Sequence, residues 1–118
     1  MSPTSSEVSA EEWAYIAGII DGEGTIHVFD NHGANSPRLI VSQKDQRLLK
    51  WLQERIGGNL YTRKDGMGSL QLLRQAQVQH VLEHTVGWLL VKGEAARRAL
   101  EVLVAKVERK AARDARKG

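Results

Sequence analysis

The apolar residues of this chain switch between two spacings, and that alternation confines the fold more than any other feature. Trp13, Ile16, Ala17 and Ile20 recur at three- and four-residue intervals, the repeat of a helix with one buried face. Ser9-Ala10-Glu11-Glu12 ahead of them has the spacing of a capping box. From Thr25 the period becomes two: Ile26 and Val28 alternate with His27 and Phe29, and beyond a loop at 31–36 Leu39 and Val41 alternate with Arg38 and Ile40. This predicts a hairpin. Residues 44–56 return to helical spacing through Leu48, Leu52 and Ile56, and Gly57 and Gly58 stop them. A second hairpin joins 60–64 to 69–74 through Asp65-Gly66-Met67-Gly68. Two helical stretches follow, 75–86 on Val78, Val81, Leu82 and Thr85, and 93 to about 113 on Ala96, Leu100, Leu103, Val104 and Val107. The order α, ββ, α, ββ, α, α predicts an α+β fold, one antiparallel sheet with helices packed on one face and the other face open.

At 118 residues the chain suits one domain with a modest core. With no cysteine it has no disulfide framework, no thiolate zinc site and no thiol nucleophile, which favours an intracellular setting: cytoplasm if bacterial or phage, or an organelle. Residues 1–13 contain no apolar signal segment, and no run approaches a membrane span. The expected layout is a disordered lead at 1–8, a single domain at 9–107 and a basic tail at 108–118. Residues 1–30 carry six acids and no Lys or Arg, so the remaining 88 residues hold 17 bases against 8 acids, a charge of +9. Such a division suits cations at one place and a polyanion over the rest, although solvated helix faces of different sign would produce it too.

The first helix is physically odd. Ala14, Ala17 and Gly18 sit among large apolar residues at spacings that let another helix approach closely. Asp21 and Glu23 then fall at its C-terminal end, where the helix dipole disfavours negative charge. A positive group should compensate, and a divalent cation would do so, with Glu23 and the Gly22 carbonyl as hard oxygen ligands. The segment Ile16-Ala17-Gly18-Ile19-Ile20-Asp21-Gly22-Glu23-Gly24 resembles the signature of the LAGLIDADG homing endonucleases. Ala17, Gly18, Ile20, Asp21 and Gly24 are identical to it; Ile16, Ile19 and Glu23 are conservative replacements, and Gly22 stands for another small residue. Ser42-Gln43-Lys44-Asp45-Gln46-Arg47 and Trp88-Leu89-Leu90-Val91-Lys92 resemble two further family segments, so the likeness runs over roughly residues 10–107.

That resemblance implies an αββαββα core with a saddle-shaped antiparallel sheet, and a Mg²⁺-dependent (or other divalent-cation-dependent), sequence-specific endonuclease of double-stranded DNA. It implies that Glu23 binds the metal, that Gln43 and Lys92 position and polarise the attacking water, and that Arg47 neighbours the scissile phosphate. One motif per chain implies a homodimer, packed through Ala14, Ala17, Gly18 and Asp21, with a near-palindromic target. The chemistry is coherent: phosphodiester hydrolysis needs an activated water and charge stabilisation, which metal ions between two carboxylates supply. One copy contributes one. Alternation along the strands places His27, Phe29, Arg38, Ile40, Tyr61, Arg63 and Gln71 on the open sheet face, where an antiparallel ribbon fits the major groove.

His80-Val81-Leu82-Glu83-His84 spells an inverted zincin pattern but lacks a third ligand and the chain length of such proteases. A calcium loop starting at Asp21 fails because Ile26 stands at its glycine position and His32 at its terminal Glu. Trp13, Trp51 and Trp88 read as core or interface residues. The competing class is a non-cleaving nucleic-acid-binding module of the same fold, an intron RNA maturase or a DNA-binding regulator.

Overall fold

The computed structural model describes residues 8–28 and 37–117. Phe29, the loop at 31–36 and most of the expected lead lie outside the described residues. Helix α1 (Ala10–Glu23) opens on the capping box: the Ser9 hydroxyl accepts from the Glu12 amide at 3.1 Å and the Ser9 amide donates to Glu12 Oε1 at 3.0 Å. Strands β1 (Gly24–His27) and β2 (Arg38–Gln43) follow, then α2 (Gln46–Ile56), β3 (Asn59–Thr62), β4 (Gly68–Leu72), α3 (Gln75–Thr85) and α4 (Gly93–Lys117). The last helix therefore runs on through the segment expected as a basic tail.

The four strands form one antiparallel sheet in the order β1-β2-β4-β3. In register, Ile26, Leu39 and Leu72 make one row and Gly24, Val41, Leu70 and Leu60 another. Leu39, Val41, Leu70 and Leu72 are fully buried, because period-two alternation turns them toward the helices. Against them pack Trp13, Ile16, Ala17 and Ile20 of α1, Leu49, Leu52 and Ile56 of α2, Val78, Val81 and Leu82 of α3, and Ala96, Ala99 and Leu103 of α4. Helix α2 buries Leu52 and Ile56 as expected, and Leu49 takes the place of Leu48, which is half-buried. It ends at Gly57 and Gly58, whose φ of 79° and 103° only glycine adopts without strain.

Strand β3 stops at Thr62, so Arg63 lies in the turn and not on the strand where alternation had placed it. Its amide donates to Met67 O at 2.8 Å, and Asp65 Oδ1 accepts from the Met67 amide at 3.0 Å, which closes the turn early. Helices α1 and α2 are tied by Arg55, whose Nε donates to Glu12 Oε2 at 2.9 Å while its guanidinium lies 4.2 Å from the centre of the Trp51 ring.

Gly24, directly after α1, has no need of positive φ; it is needed for space. A Cβ there would stand 2.8 Å from the Ile20 carbonyl oxygen. Gly24→Ala is expected to destabilise the fold by about 1–3 kcal/mol, as overpacking does, read as a lower urea midpoint. An unchanged midpoint would mean that the helix end relaxes at no cost.

Candidate active site

The C-terminal end of α1 contains no basic residue, so its carbonyls and its two acids need a cation from elsewhere in the chain or from solution. Lys92 supplies one. Its Nζ donates to the Asp21 carbonyl oxygen at 2.6 Å. The Asp21 carboxylate turns to the same segment, accepting from the amides of Leu90 at 2.7 Å, Val91 at 3.1 Å and Lys92 at 3.0 Å. Desolvation pushes the Asp21 carboxyl up, but the bonds from Leu90, Lys92 and Val91 and the Lys92 charge outweigh it and hold the group below its ordinary value.

Glu23 is the last residue of α1 and is exposed, and its carboxylate makes no hydrogen bond or ion pair among the described residues. Since Gly24 pairs with Val41, the chain reaches Glu23 beside the Ser42 and Gln43 end of β2. Gln43 closes that strand opposite Gly68, and its Oε1 accepts from the amides of Lys44 at 2.9 Å and Asp45 at 3.3 Å. Glu23, Gln43 and Lys92 are thus brought to one end of the sheet by the end of α1, the end of β2 and the segment before α4.

Arg47 stands apart in the first turn of α2. Its guanidinium is bound by Asp45, with Nε at 3.0 Å from Oδ1 and Nη2 at 2.7 Å from Oδ2. Asp45 is also the N-cap, accepting from the Arg47 amide at 2.9 Å. The Arg47 side-chain bonds first, and its amide second, draw the Asp45 carboxyl down to about 2. A carboxyl lowered on folding stabilises the fold above its unfolded value, and that contribution is lost as pH falls through the folded one. In an NMR titration the Arg47 amide should therefore move with a midpoint near 2, and a midpoint at the ordinary 3.8 would show that the pair does not form. Arg63 is held in the same way by Asp65, whose carboxyl is likewise drawn to about 2. Neither carboxylate was foreseen as an arginine partner, although an Asp two residues from each Arg was visible in the sequence.

On the outer sheet face the register sets His27 beside Arg38, Ser42 beside Ser69 and Tyr61, and a row of Thr25, Ile40, Gln71 and Asn59. Tyr61 is exposed, Ile40 and Gln71 are half-buried, and Gln71 Nε2 donates to Ser69 Oγ at 3.3 Å. The exposed side of α1 carries Glu11, Tyr15, Gly18 and Gly22, with Ala14 half-buried. Ala17 corrects an expectation: with no exposed surface at all it belongs to the chain's own core and is closed to any partner. Among the described residues a Cβ at Gly18 or Gly22 would meet nothing within 4 Å.

His80 and His84 pack on Trp13, edge-on at 5.7 Å and stacked at 4.7 Å between ring centroids. Trp13 is buried, Trp51 half-buried and Trp88 exposed. Among the described residues no group of three or more His, Asp or Glu could hold a metal ion, and no helix is long and apolar enough to cross a membrane. A carboxylate that is exposed at a helix end and without a partner among the described residues fits a hard divalent cation in donor chemistry, yet the described residues of one chain offer too few ligands to hold it alone.

No family model matches the chain, and no curated protein does. Solved structures do. The homing endonuclease I-CvuI in complex with its target in the presence of Ca aligns with a TM-score of 0.68 at 25% identity, over 80% of this chain and 66% of that one. The homing endonuclease I-TnaI aligns with a TM-score of 0.67 at 18% identity, over 81% and 74%. The LAGLIDADG meganuclease I-CpaMI bound to uncleaved DNA aligns with a TM-score of 0.60 at 17% identity, over 80% of this chain and 38% of that one. This chain therefore spans just under two thirds of the I-CvuI chain that it matches.

Proposed function

We propose, for a chain with the fold of the LAGLIDADG homing endonucleases, that it is a sequence-specific, metal-dependent endonuclease of double-stranded DNA acting as a homodimer. The observation that carries this reading is the Glu23 carboxylate, without a partner among the described residues, beside the Gln43 end of β2 and two residues from the Asp21 carbonyl that Lys92 binds. In this reading Glu23 and the Gly22 carbonyl hold the cation. When bound, that cation supplies Lewis-acid activation and charge neutralisation at the phosphate. The Lys92 ammonium and the Gln43 amide position and polarise the attacking water. Arg47 approaches the phosphate by exchanging Asp45 for it, since an exposed pair is worth little.

Two observations support the homodimer. Glycine inside a helix costs about 1 kcal/mol relative to alanine, and nothing among the described residues requires it at 18 or 22; a partner helix at close range would. The match to I-CpaMI covers less than half of that chain, which leaves room there for a second such unit. The two-fold axis would run between the exposed sides of α1 at Ala14 and Gly18, so that two Glu23 carboxylates meet and each DNA strand finds one set of groups. The outer sheet face, with His27, Arg38, Ile40, Tyr61 and Gln71, then faces the major groove, and Arg63 extends it at the turn between β3 and β4.

The test is a cleavage selection on a randomised duplex library with Mg²⁺, with DNA retained by the protein recovered from the same reactions. Discrete double-strand breaks at a near-palindromic site support the reading. Enriched but uncut DNA overturns cleavage in favour of a DNA-binding regulator. Neither binding nor cutting, with tight binding to structured RNA, points to a maturase.

A further inference from the structure

Four hydrogen bonds join Asp21 to a segment about 70 residues away, and all of them end on Leu90, Val91 or Lys92. Burial cannot be what fixes that segment. Leu90 is 93% exposed and Val91 76% exposed, so neither side chain packs on the core. Only Leu89 ahead of them and Gly93 behind them are buried. Between those anchors the backbone is held by three successive amides converging on one carboxylate, an arrangement in which oriented N–H dipoles bind an anion. Lys92 also begins α4, its carbonyl accepting from the Ala96 amide at 2.9 Å. The carboxylate of Asp21 therefore sits at the favourable end of a second helix dipole, which explains an acid placed at the unfavourable end of α1. The ammonium of Lys92 returns to the carbonyl of that same residue, so its position is defined relative to Asp21 at both ends of its side chain.

We propose that Asp21 is the positioning residue for Lys92: by holding the backbone of residues 90–92 against the end of α1, it fixes where the Lys92 ammonium stands relative to Glu23. The inference rests on the endonuclease reading for its catalytic consequence and on the geometry alone for the clamp. Asn in place of Asp keeps the volume but turns an N–H₂ donor toward at least one of the three backbone donors, so the clamp opens without a cavity.

The experiment uses the full chain as Asp21→Asn, Lys92→Met and the double variant, with the duplex recovered from the selection as probe. Single-turnover cleavage at saturating protein should fall about 30–100-fold in Asp21→Asn, as a displacement near 1 Å does, with DNA affinity changed less than about threefold. Lys92→Met should lose at least as much, and adding Asp21→Asn to it should cost nothing more, because a residue that acts through another is non-additive with it. Multiplying losses would overturn the proposal. Backbone hydrogen exchange needs no activity: protection of the Leu90, Val91 and Lys92 amides should drop about tenfold or more in Asp21→Asn while that of Ile16 and Ile20 persists. Unchanged protection would overturn the clamp. If Asp21→Asn does not fold, Asp21→Glu, which pushes the segment out by a methylene, should show the same two effects, and normal protection and cleavage in it would overturn the proposal. A wild-type chain that cuts no duplex defeats the endonuclease reading, and the exchange measurement still decides the clamp.

Discussion

Replacing Glu23 with Gln is expected to lower single-turnover cleavage by about a thousandfold or more, an added barrier of about 4 kcal/mol, while DNA affinity stays within about threefold. The amide keeps the shape of the side chain and removes the charge, and a neutral oxygen is a poor ligand for a hard divalent cation. Folding should be untouched. Glu23 is exposed and without a partner among the described residues, and substitutions at such places stay within about 0.5 kcal/mol. Binding should survive because in the proposed reading it draws on the sheet face and on the positive balance of residues 31–118, and losing one negative charge near phosphates does not weaken it. Cleavage assays on the selected duplex, paired with equilibrium binding, separate the outcomes. Cleavage within tenfold of wild type would remove Glu23 from the metal site. Loss of binding together with the fold would make its role structural.

Much of the architecture was legible because it is written in local periodicity. Leu39 and Val41 alternate with Arg38 and Ile40, and burial follows that alternation residue by residue. Leu48 and Leu49 show the limit of the same rule: against Leu52 both lie at helical spacing, and the one buried is Leu49, whose Cδ1 stands against Gly68 of β4. Ala17 was assignable to two faces, to the stripe of Trp13, Ile16 and Ile20 and to the small residues Ala14 and Gly18, and the apolar stripe took it.

The candidate site divides in the same way. Glu23, Gln43 and Lys92 were named one at a time from the segments that resemble the family, whereas it is the fold that sets the end of α1 beside the Gln43 end of β2 and bonds Lys92 to Asp21. What short-range reasoning could not reach was Asp21. Its carboxylate serves amides 69–71 residues away, and no spacing rule connects the end of one helix with the approach to another. The cation expected at the end of α1 is supplied in part by the chain itself, through Lys92. Glu23 still lacks a counter-charge among the described residues. The arginine pairs failed for the opposite reason, being too local: Asp45 and Asp65 lie two residues from their partners across a cap and a turn, where turn geometry and not periodicity sets who meets whom.

Gly18→Leu is expected to convert a dimer into a monomer without harming the fold of the single chain. Within the chain the substitution has room, since a Cβ at Gly18 meets nothing within 4 Å, and leucine favours a helix interior by about 0.8 kcal/mol over glycine. Across the proposed two-fold axis the same side chain would have none: two helices that meet through glycine approach more closely than the usual 8–10 Å or so between axes, and each copy would push a leucine into the other. The dimer dissociation constant should rise about a hundredfold or more, which is about 2.7 kcal/mol. Sedimentation velocity at micromolar protein would then show the mass of one chain, while the unfolding midpoint of the monomer is equal or higher. Double-strand cleavage should vanish with the dimer, because a single chain brings one carboxylate to the DNA. A dimer that survives would move the interface off this side of α1. A variant that unfolds would mean that Gly18 is required by the chain itself, and the argument from its empty surroundings would fail.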